Sequence, residues 1–503
     1  MPAFEEKLPR PLLAETRAAL AGPFPLLIGG QWVPSDTGAT ITTRDPATGA
    51  VITEVAVGGA AEIDRAVRAA RAAFEGPWSR LSGFERGDLL RRLAAILEAN
   101  AAMMAEVEVL DNGMPLALAQ MITRNNSRLF NYYAGWAERV EGTTTTPPPH
   151  VRAMGEALTY TLREPVGVVG QIVPWNVPLS MACLKLAPAL AAGCTIVLKP
   201  AEETPLSAVL LGRMIQEAGF PDGVVNIVNG AGATAGAALV AHRDVDKISF
   251  TGSTEVGRGI VRAAADDLKK VSLELGGKSP VIVFGDADLA RAIPGVANAT
   301  FFLQGQNCMA GTRIFVHTSI YDRLLEGLVA HVGALRMGHG LDPATTVGPL
   351  ISARQQARVL SFIEDGIARG ATLLAGGRAP EGAGHFVEPT IFADVRPDMR
   401  IVREEIFGPV MAVQRFGDED IDAVARMAND SVFGLSGSVW TRDLATAHRM
   451  AARVRTGHMS VNTHGAVGPN IPFGGYKQSG WGREFGREGL DLYLETKAIT
   501  VQL

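Results

Sequence analysis

Only three cysteines occur in 503 residues, at positions 183, 194 and 308, too few and too scattered for a disulfide framework. That scarcity suits a reducing compartment. The nine histidines show no His-x-x-x-His spacing and no Cys-x-x-Cys pair occurs, so no metal centre is expected. No stretch reaches the roughly 20 uninterrupted apolar residues of a membrane span. Lys and Arg number 47 against 52 Asp and Glu, a net charge of −5 with no dense basic tract to attract nucleic acid. Glu5, Glu6 and Glu15 make residues 1–22 unlike a secretory or mitochondrial leader, and the cytoplasm is expected. No short-period repeat is present, which excludes a solenoid. With 47% hydrophobic and 20% charged residues, the chain has the composition of an ordinary globular protein of two or three domains.

Helical and strand patterns alternate along most of the length, which predicts an α/β fold with largely parallel sheets. Residues 62–75 place Ile63, Ala66, Val67, Ala70 and Phe74 on one helical face, and residues 85–110 form a second helix ending at Asn112-Gly113. Strands are predicted over 166–173, 195–198, 224–228 and 247–250, separated by helices, as in a doubly wound domain. A second α/β region has strands over 280–284, 312–317, 410–416, 437–440 and 458–462. Residues 157–163 and 497–503 alternate apolar and polar side chains. Isolated ribbons are marginal in water, so each is expected to pair with another chain, an edge strand within the monomer being the alternative.

Cys308 stands in Gln304-Gly305-Gln306-Asn307-Cys308-Met309-Ala310-Gly311, whereas Cys194 lies in an apolar run. Glycines on both sides of Cys308 permit close approach of substrate and backbone, and a free N–H at such a corner stabilises an oxyanion. Alone, the segment reads equally well as a small buried thiol; Glu274-Leu275-Gly276-Gly277-Lys278 weighs against that. Phe250-Thr251-Gly252-Ser253 turns a strand into a helix whose N-terminus suits a phosphate. Gly230-x-Gly232-x-x-x-Gly236 approaches a dinucleotide fingerprint with the last spacing wrong. Lys199-Pro200-Ala201-Glu202 ends a strand where α/β folds bind ligands, and Pro174-Trp175-Asn176 ends its neighbour. A solvated helix entry explains Lys199 and Glu202 equally well, and a turn explains Asn176.

These motifs, followed by Glu404-Glu405-Ile406-Phe407-Gly408-Pro409-Val410 and Pro472-Phe473-Gly474-Gly475-Tyr476-Lys477, occur in the order seen in the NAD(P)-dependent aldehyde dehydrogenase superfamily, which the chain resembles from about Leu27 onward. The resemblance implies a Rossmann-type cofactor domain over 25–142 and 166–276, a catalytic domain over 277–478, and a β oligomerisation element over 143–165 and 490–503. It implies Cys308 as nucleophile, Glu274 as general base, and Asn176 with the Cys308 N–H as oxyanion site. Lys199 and Glu202 would hold the adenosine ribose, Gly252 and Ser253 the pyrophosphate, and Glu405 the nicotinamide ribose, with Phe407 near the ring. Ile172, Trp175, Gly232 and Phe250 complete the implied cofactor set. The implied cofactor is NAD, with NADP less favoured, the implied partner a small-molecule aldehyde substrate, and the implied assembly a homodimer or homotetramer.

Several relatives line the aldehyde tunnel with aromatic rings, where this chain has Val177, Leu184 and Val467. Asn307 and Met309 flank the nucleophile, and Arg124, Asn125, Asn126 and Arg128 lie on a helix expected to border the tunnel. A bulky hydrophobic aldehyde is the expected substrate. The alternative is a semialdehyde acid held by Arg124 or Arg128, against the plainer reading of those arginines as a solvated face.

Overall fold

The computed structural model describes residues 4–503. Two large sheets carry most of the chain. The first has eight strands in the order Gln31–Val33, Leu26–Ile28, Val225–Ile227, Thr195–Lys199, Val168–Ile172, Lys247–Thr251, Lys270–Glu274 and Gly480–Trp481. Its five central strands are parallel. They are short, β-branched and buried on both faces, as a sheet covered by helices requires. The chain starts at Val168–Ile172, runs outward to Val225–Ile227, then returns to the other side at Lys247–Thr251. That reversal opens a crevice at the carboxyl ends of the strands, where such folds bind ligands.

The second sheet runs Thr372–Ala375, Thr390–Ala393, Val410–Phe416, Arg313–His317, Pro280–Val283, Ser436–Trp440 and His458–Val461. All its pairs are parallel except the first. Val281, Val283, Ile314, Val316, Met411 and Val413 form its buried core against helices. Among the described residues, no helix is long and apolar enough to cross a membrane.

The helix expected over 85–110 is two helices, Gly83–Ala99 and Ala101–Asn112, broken at Asn100. The Asn100 amide donates back to the Ile96 carbonyl at 2.9 Å, a local bond that competes with helix propagation. Gly113, at φ +90°, ends the second helix in the left-handed region. The helical connection between Val225–Ile227 and Lys247–Thr251 opens with a π turn, Gly232–Gly236, ahead of Ala237–Ala241.

The two alternating ribbons pair within the monomer, the alternative reading of their pattern. Ala157–Pro165 pairs antiparallel with Leu494–Gln502 of the same chain, and Thr144–Thr145 adds a third strand. Each ribbon's first partner is therefore the other. About 330 residues of intervening sequence separate them, and no local pattern encodes that pairing.

The strand Gly480–Trp481 carries the C-terminal segment back onto the first sheet, opposite Leu273 and Glu274. Gly480 has φ +114°, and a β-carbon there would lie 2.0 Å from the Leu273 carbonyl oxygen. Gly480→Ala should therefore lower the thermal midpoint by several degrees, the strain being about 1–3 kcal/mol. It should also reduce activity if Glu274, which it displaces, has the role the resemblance implies. A midpoint and kcat equal to wild type in matched thermal scans and assays would contradict the close packing.

Candidate active site

The Cys308 loop is strained and pinned. After the Leu289–Phe301 helix, Leu303 and Gln304 adopt φ values of 53° and 55°, a backbone that non-glycine residues hold at a cost of about 1–3 kcal/mol each. The Gln304 amide donates to the carbonyls of Gly113 at 3.2 Å and Pro349 at 3.3 Å. Gln306 Oε1 accepts from the Ile351 N–H at 3.0 Å. A β-carbon on Gly305 would lie 2.2 Å from the Gly408 carbonyl oxygen, so only glycine lets the two loops touch. Beyond Cys308, the Met309 carbonyl accepts from His464 Nε2 at 2.8 Å. A carbonyl only accepts, so Nε2 carries the proton and Nδ1 accepts from Ser438 at 2.9 Å. Burial lowers the His464 pKa to about 4, which keeps the ring neutral.

Glu274, the last residue of the Lys270–Glu274 strand, is 5% exposed, and neither carboxylate oxygen has a hydrogen-bond partner among the described residues. The Gly276-Gly277 backbone then passes between two site groups. A β-carbon on Gly276 would lie 2.2 Å from Glu405 Oε2, and one on Gly277 2.3 Å from the Cys308 carbonyl oxygen. The Gly277 N–H donates to Glu405 Oε1 at 2.8 Å. Glu274, Glu405 and Cys308 are thus brought together by bare backbone.

Asn176 joins them from the first sheet. Its side-chain amide is buried and donates to the Gln306 carbonyl at 3.0 Å. An amide carries two N–H donors. The bond to Gln306 orients the group and leaves the second donor without a partner among the described residues.

Charge in this enclosure is costly. Burial, with neighbouring Glu484, holds Glu274 well above the ordinary carboxylate range, against Lys185 and Arg483. Burial also raises Glu405 to about 7, opposed by the Gly277 N–H and Lys278. The half-buried Cys308 thiol is pushed far up by desolvation and by Glu405 and Glu274. Cys183 and Cys194 are fully buried, and burial raises their thiols as well. Sequence reasoning missed the buried pair beside Glu274, Lys185 and Glu484 at 2.6 Å, with Lys185 also donating to Ser249. A lysine inside the apolar run of the Pro178–Ala192 helix was the available signal.

The residues at the first sheet's crevice fit a dinucleotide. Ser253 caps the 11-residue helix Thr254–Ala264, accepting from the Val256 N–H at 3.3 Å. Gly252 admits no side chain, because a β-carbon would lie 2.5 Å from Phe250 Cζ. Space above Gly232 is open. Lys199 is buried and donates to the carbonyls of Pro200 at 2.6 Å and Gly230 at 2.8 Å. It lies 3.6 Å from the half-exposed Glu202, which leaves that carboxylate as the outward acceptor. Ile172 is buried at the carboxyl end of its strand. Trp175 packs edge-on against Phe407, with ring centroids 5.2 Å apart.

The expected tunnel residues are less uniformly placed. Val177 packs partly buried against the large apolar cluster that contains the buried Leu184. Asn307 and Met309 are half-buried beside Cys308, and Val467 is 41% exposed on the loop facing Met309. Asn125 is exposed with Arg124 and Arg128, and the structure does not bring it to the buried face. The inward amide is its neighbour Asn126, which accepts from Ser180 at 2.9 Å.

The chain matches the aldehyde dehydrogenase family over residues 32–499. It is 49% identical over 477 residues to the mitochondrial aldehyde dehydrogenase of Leishmania tarentolae, covering 94% of each chain. It is 45% identical over 482 residues to the mitochondrial aldehyde dehydrogenase of Homo sapiens, covering 95% of this chain and 92% of that one. Its fold superimposes with a TM-score of 0.95 on the NAD+ complex of the aldehyde dehydrogenase of Bacillus cereus, at 44% identity and over 98% of this chain and 99% of the other. Agreement over nearly the whole length, in sequence and in fold, defines the class. The chain belongs to the aldehyde dehydrogenase family.

Glu405 offers a test of the enclosure. Its carboxyl is raised from 4.5 to about 7, so the fold favours the protonated form. That contribution to stability is whole below about pH 4.5 and is lost as pH rises through about 7. Glu405→Gln, which cannot ionise, should gain on wild type between about pH 5 and pH 8, by at most a few kcal/mol. Urea midpoints of both proteins at the two pH values measure this, and an equal gap at both would refute the desolvation.

Proposed function

We propose that this chain oxidises an aldehyde to a carboxylic acid with NAD as the hydride acceptor, through a thiohemiacetal and a thioester on Cys308. The observation that carries the reading is the convergence of Cys308, a desolvated Glu274 and the oriented Asn176 amide around one glycine-lined corner. In this reading residues 25–142 and 166–276 form the cofactor unit and residues 277–478 the catalytic unit. Residues 143–165 and 490–503 form the assembly element. Leu158 and Val501, cross-strand partners that are both exposed, support burial of that sheet against a second copy. The three free cysteines support a reducing compartment, the cytoplasm.

The Cys308 thiolate adds to the carbonyl carbon, and the spare Asn176 N–H with the Cys308 backbone N–H receives the oxyanion. Each such donor is worth roughly 3 kcal/mol of barrier. NAD+, when bound, supplies the hydride acceptor and a positive ring. Ser253 and the helix start behind it would hold its pyrophosphate, Glu202 the adenosine ribose and Glu405 the nicotinamide ribose. Glu202 sets a preference for NAD over NADP, since a further phosphate would bring like charge against it. After hydride loss Glu274 takes a proton from water, the hydroxide adds to the thioester, and Cys308 leaves as thiolate. A carboxyl raised by burial is the stronger base for that step. An acylating relative that passes the thioester to coenzyme A has no use for this base, and Glu274 argues against it.

Mixing each variant with NAD and aldehyde tests these roles. Cys308→Ala should make no NADH while still binding NAD. Glu274→Gln should permit some hydride transfer and then stall, leaving an acyl adduct visible by intact-protein mass spectrometry. Steady turnover by either variant contradicts its assigned role.

The substrate proposed is a bulky hydrophobic aldehyde, of aliphatic, terpenoid or aryl type. The partly buried Val177 and Met309 offer apolar surface, with Leu184 in the core behind them, and the exposure of Arg124 and Arg128 gives no support to capture of a remote carboxylate. Each buried methylene is worth about 0.8 kcal/mol, so a few extra carbons should raise kcat/KM by about one to two orders of magnitude over acetaldehyde. Hexanal and a branched terpenoid aldehyde should outperform succinic semialdehyde. A semialdehyde preference abolished by Arg124→Ala or Arg128→Ala would reverse the assignment.

A further inference from the structure

The last turn of the Ala101–Asn112 helix touches both arms of the proposed catalytic centre, although none of its residues lies among those assigned to the chemistry. Asn112 is buried, and its side-chain amide donates to two consecutive carbonyls, Trp175 at 2.8 Å and Asn176 at 3.2 Å. One turn earlier, the buried Glu108 carboxylate accepts from the Leu179 N–H at 3.3 and 3.4 Å, at the start of the next helix. The segment from Trp175 to Leu179 is therefore held at both ends by one helix, with Asn176 between the holds. Gly113, the next residue, accepts from the Gln304 amide and so fixes the strained approach to Cys308.

The helix itself is fixed. Asp111 accepts from the Leu206 N–H at 3.0 Å. Glu106 accepts from Leu13 at 2.9 Å and Thr16 at 2.6 Å, tying the helix to the N-terminal segment. Two side-by-side residues thus bridge the Asn176 arm, on the first sheet, and the Cys308 arm, which leads into the second.

We infer that Asn112 is a positioning residue for the oxyanion arm: it fixes the Trp175–Asn176 backbone relative to the Cys308 loop that Gly113 holds through Gln304. The inference rests on the roles proposed above for Asn176 and Cys308. Without the two amide bonds, the Trp175 and Asn176 carbonyls lose buried partners and the segment relaxes. A displacement of about 1 Å at a reacting centre costs up to about 100-fold in rate.

A double-mutant cycle on kcat, with saturating NAD and aldehyde, tests this. Asn112→Ala should lower kcat about 10- to 100-fold in the otherwise native chain. In the Asn176→Ala background the same substitution should cost less than about threefold, because the group it positions is already gone. Wild-type kcat in Asn112→Ala overturns the inference. So does an equal fold-loss in both backgrounds, which marks a general structural role. Unchanged kcat in Asn176→Ala overturns the oxyanion assignment, and this inference with it. If the alanine variant does not accumulate folded, Asn112→Ser, which keeps one donor, enters the same cycle and should show a smaller loss with the same dependence on Asn176.

Discussion

Close approach of bare backbone at Gly276-Gly277 is the constraint on which the rest of the site depends. One β-carbon there would drive Glu405 away, and the other would push the Cys308 carbonyl out of its place. Because these glycines follow one residue after the Glu274 strand, the end of the first sheet is locked to the Cys308 loop of the second. Gly305 against the Gly408 carbonyl, and Gly480 against the Leu273 carbonyl, extend the same device outward. Side chains at such contacts would space the two sheets apart by more than a carbon–oxygen contact. The groups proposed for catalysis would then sit in two separate walls rather than around one point.

Much of this was legible in the sequence, for reasons that differ by element. The central strands were readable because short β-branched runs buried on both faces leave little ambiguity, and the Gly113 stop because a left-handed cap selects glycine. Strand Lys270–Glu274 escaped notice because Lys270 and Glu274 obscure its short apolar register. The Thr372–Ala375 and Thr390–Ala393 pair escaped because its residues are few and joined by a long glycine-rich connection. Asn125 and Asn126 show the limit of composition on a helix. One residue turns a side chain by about 100°, enough to move an amide from solvent to the buried face.

Contacts distant in sequence were the least legible. Asn112 meets partners 63 and 64 residues away, and Lys185 meets Glu484 across 299. A polar residue at the end of a helix reads as a cap, and Asn112-Gly113 invited that reading. Its side chain is instead spent on another loop's carbonyls while Gly113 alone terminates the helix. What the sequence lacked was a reason for an amide at that position, and the fold supplies one.

The enclosure also limits how charge can move. Glu274, Glu405 and the Cys308 thiol share one desolvated region, and both carboxylates raise the cost of ionising the thiol. Two negative charges held close in a medium poorer than water repel strongly. On the proposed roles, thiolate formation is therefore favoured when a neighbouring carboxyl takes up a proton or when a positive ring enters the crevice. The first route passes the thiol proton within the site and leaves its net charge unchanged. The second adds a compensating charge and stabilises the thiolate only when cofactor is present. Along the second route the thiol keeps its proton until the crevice is filled, so burial that looks adverse to a nucleophile makes its activation conditional on bound cofactor.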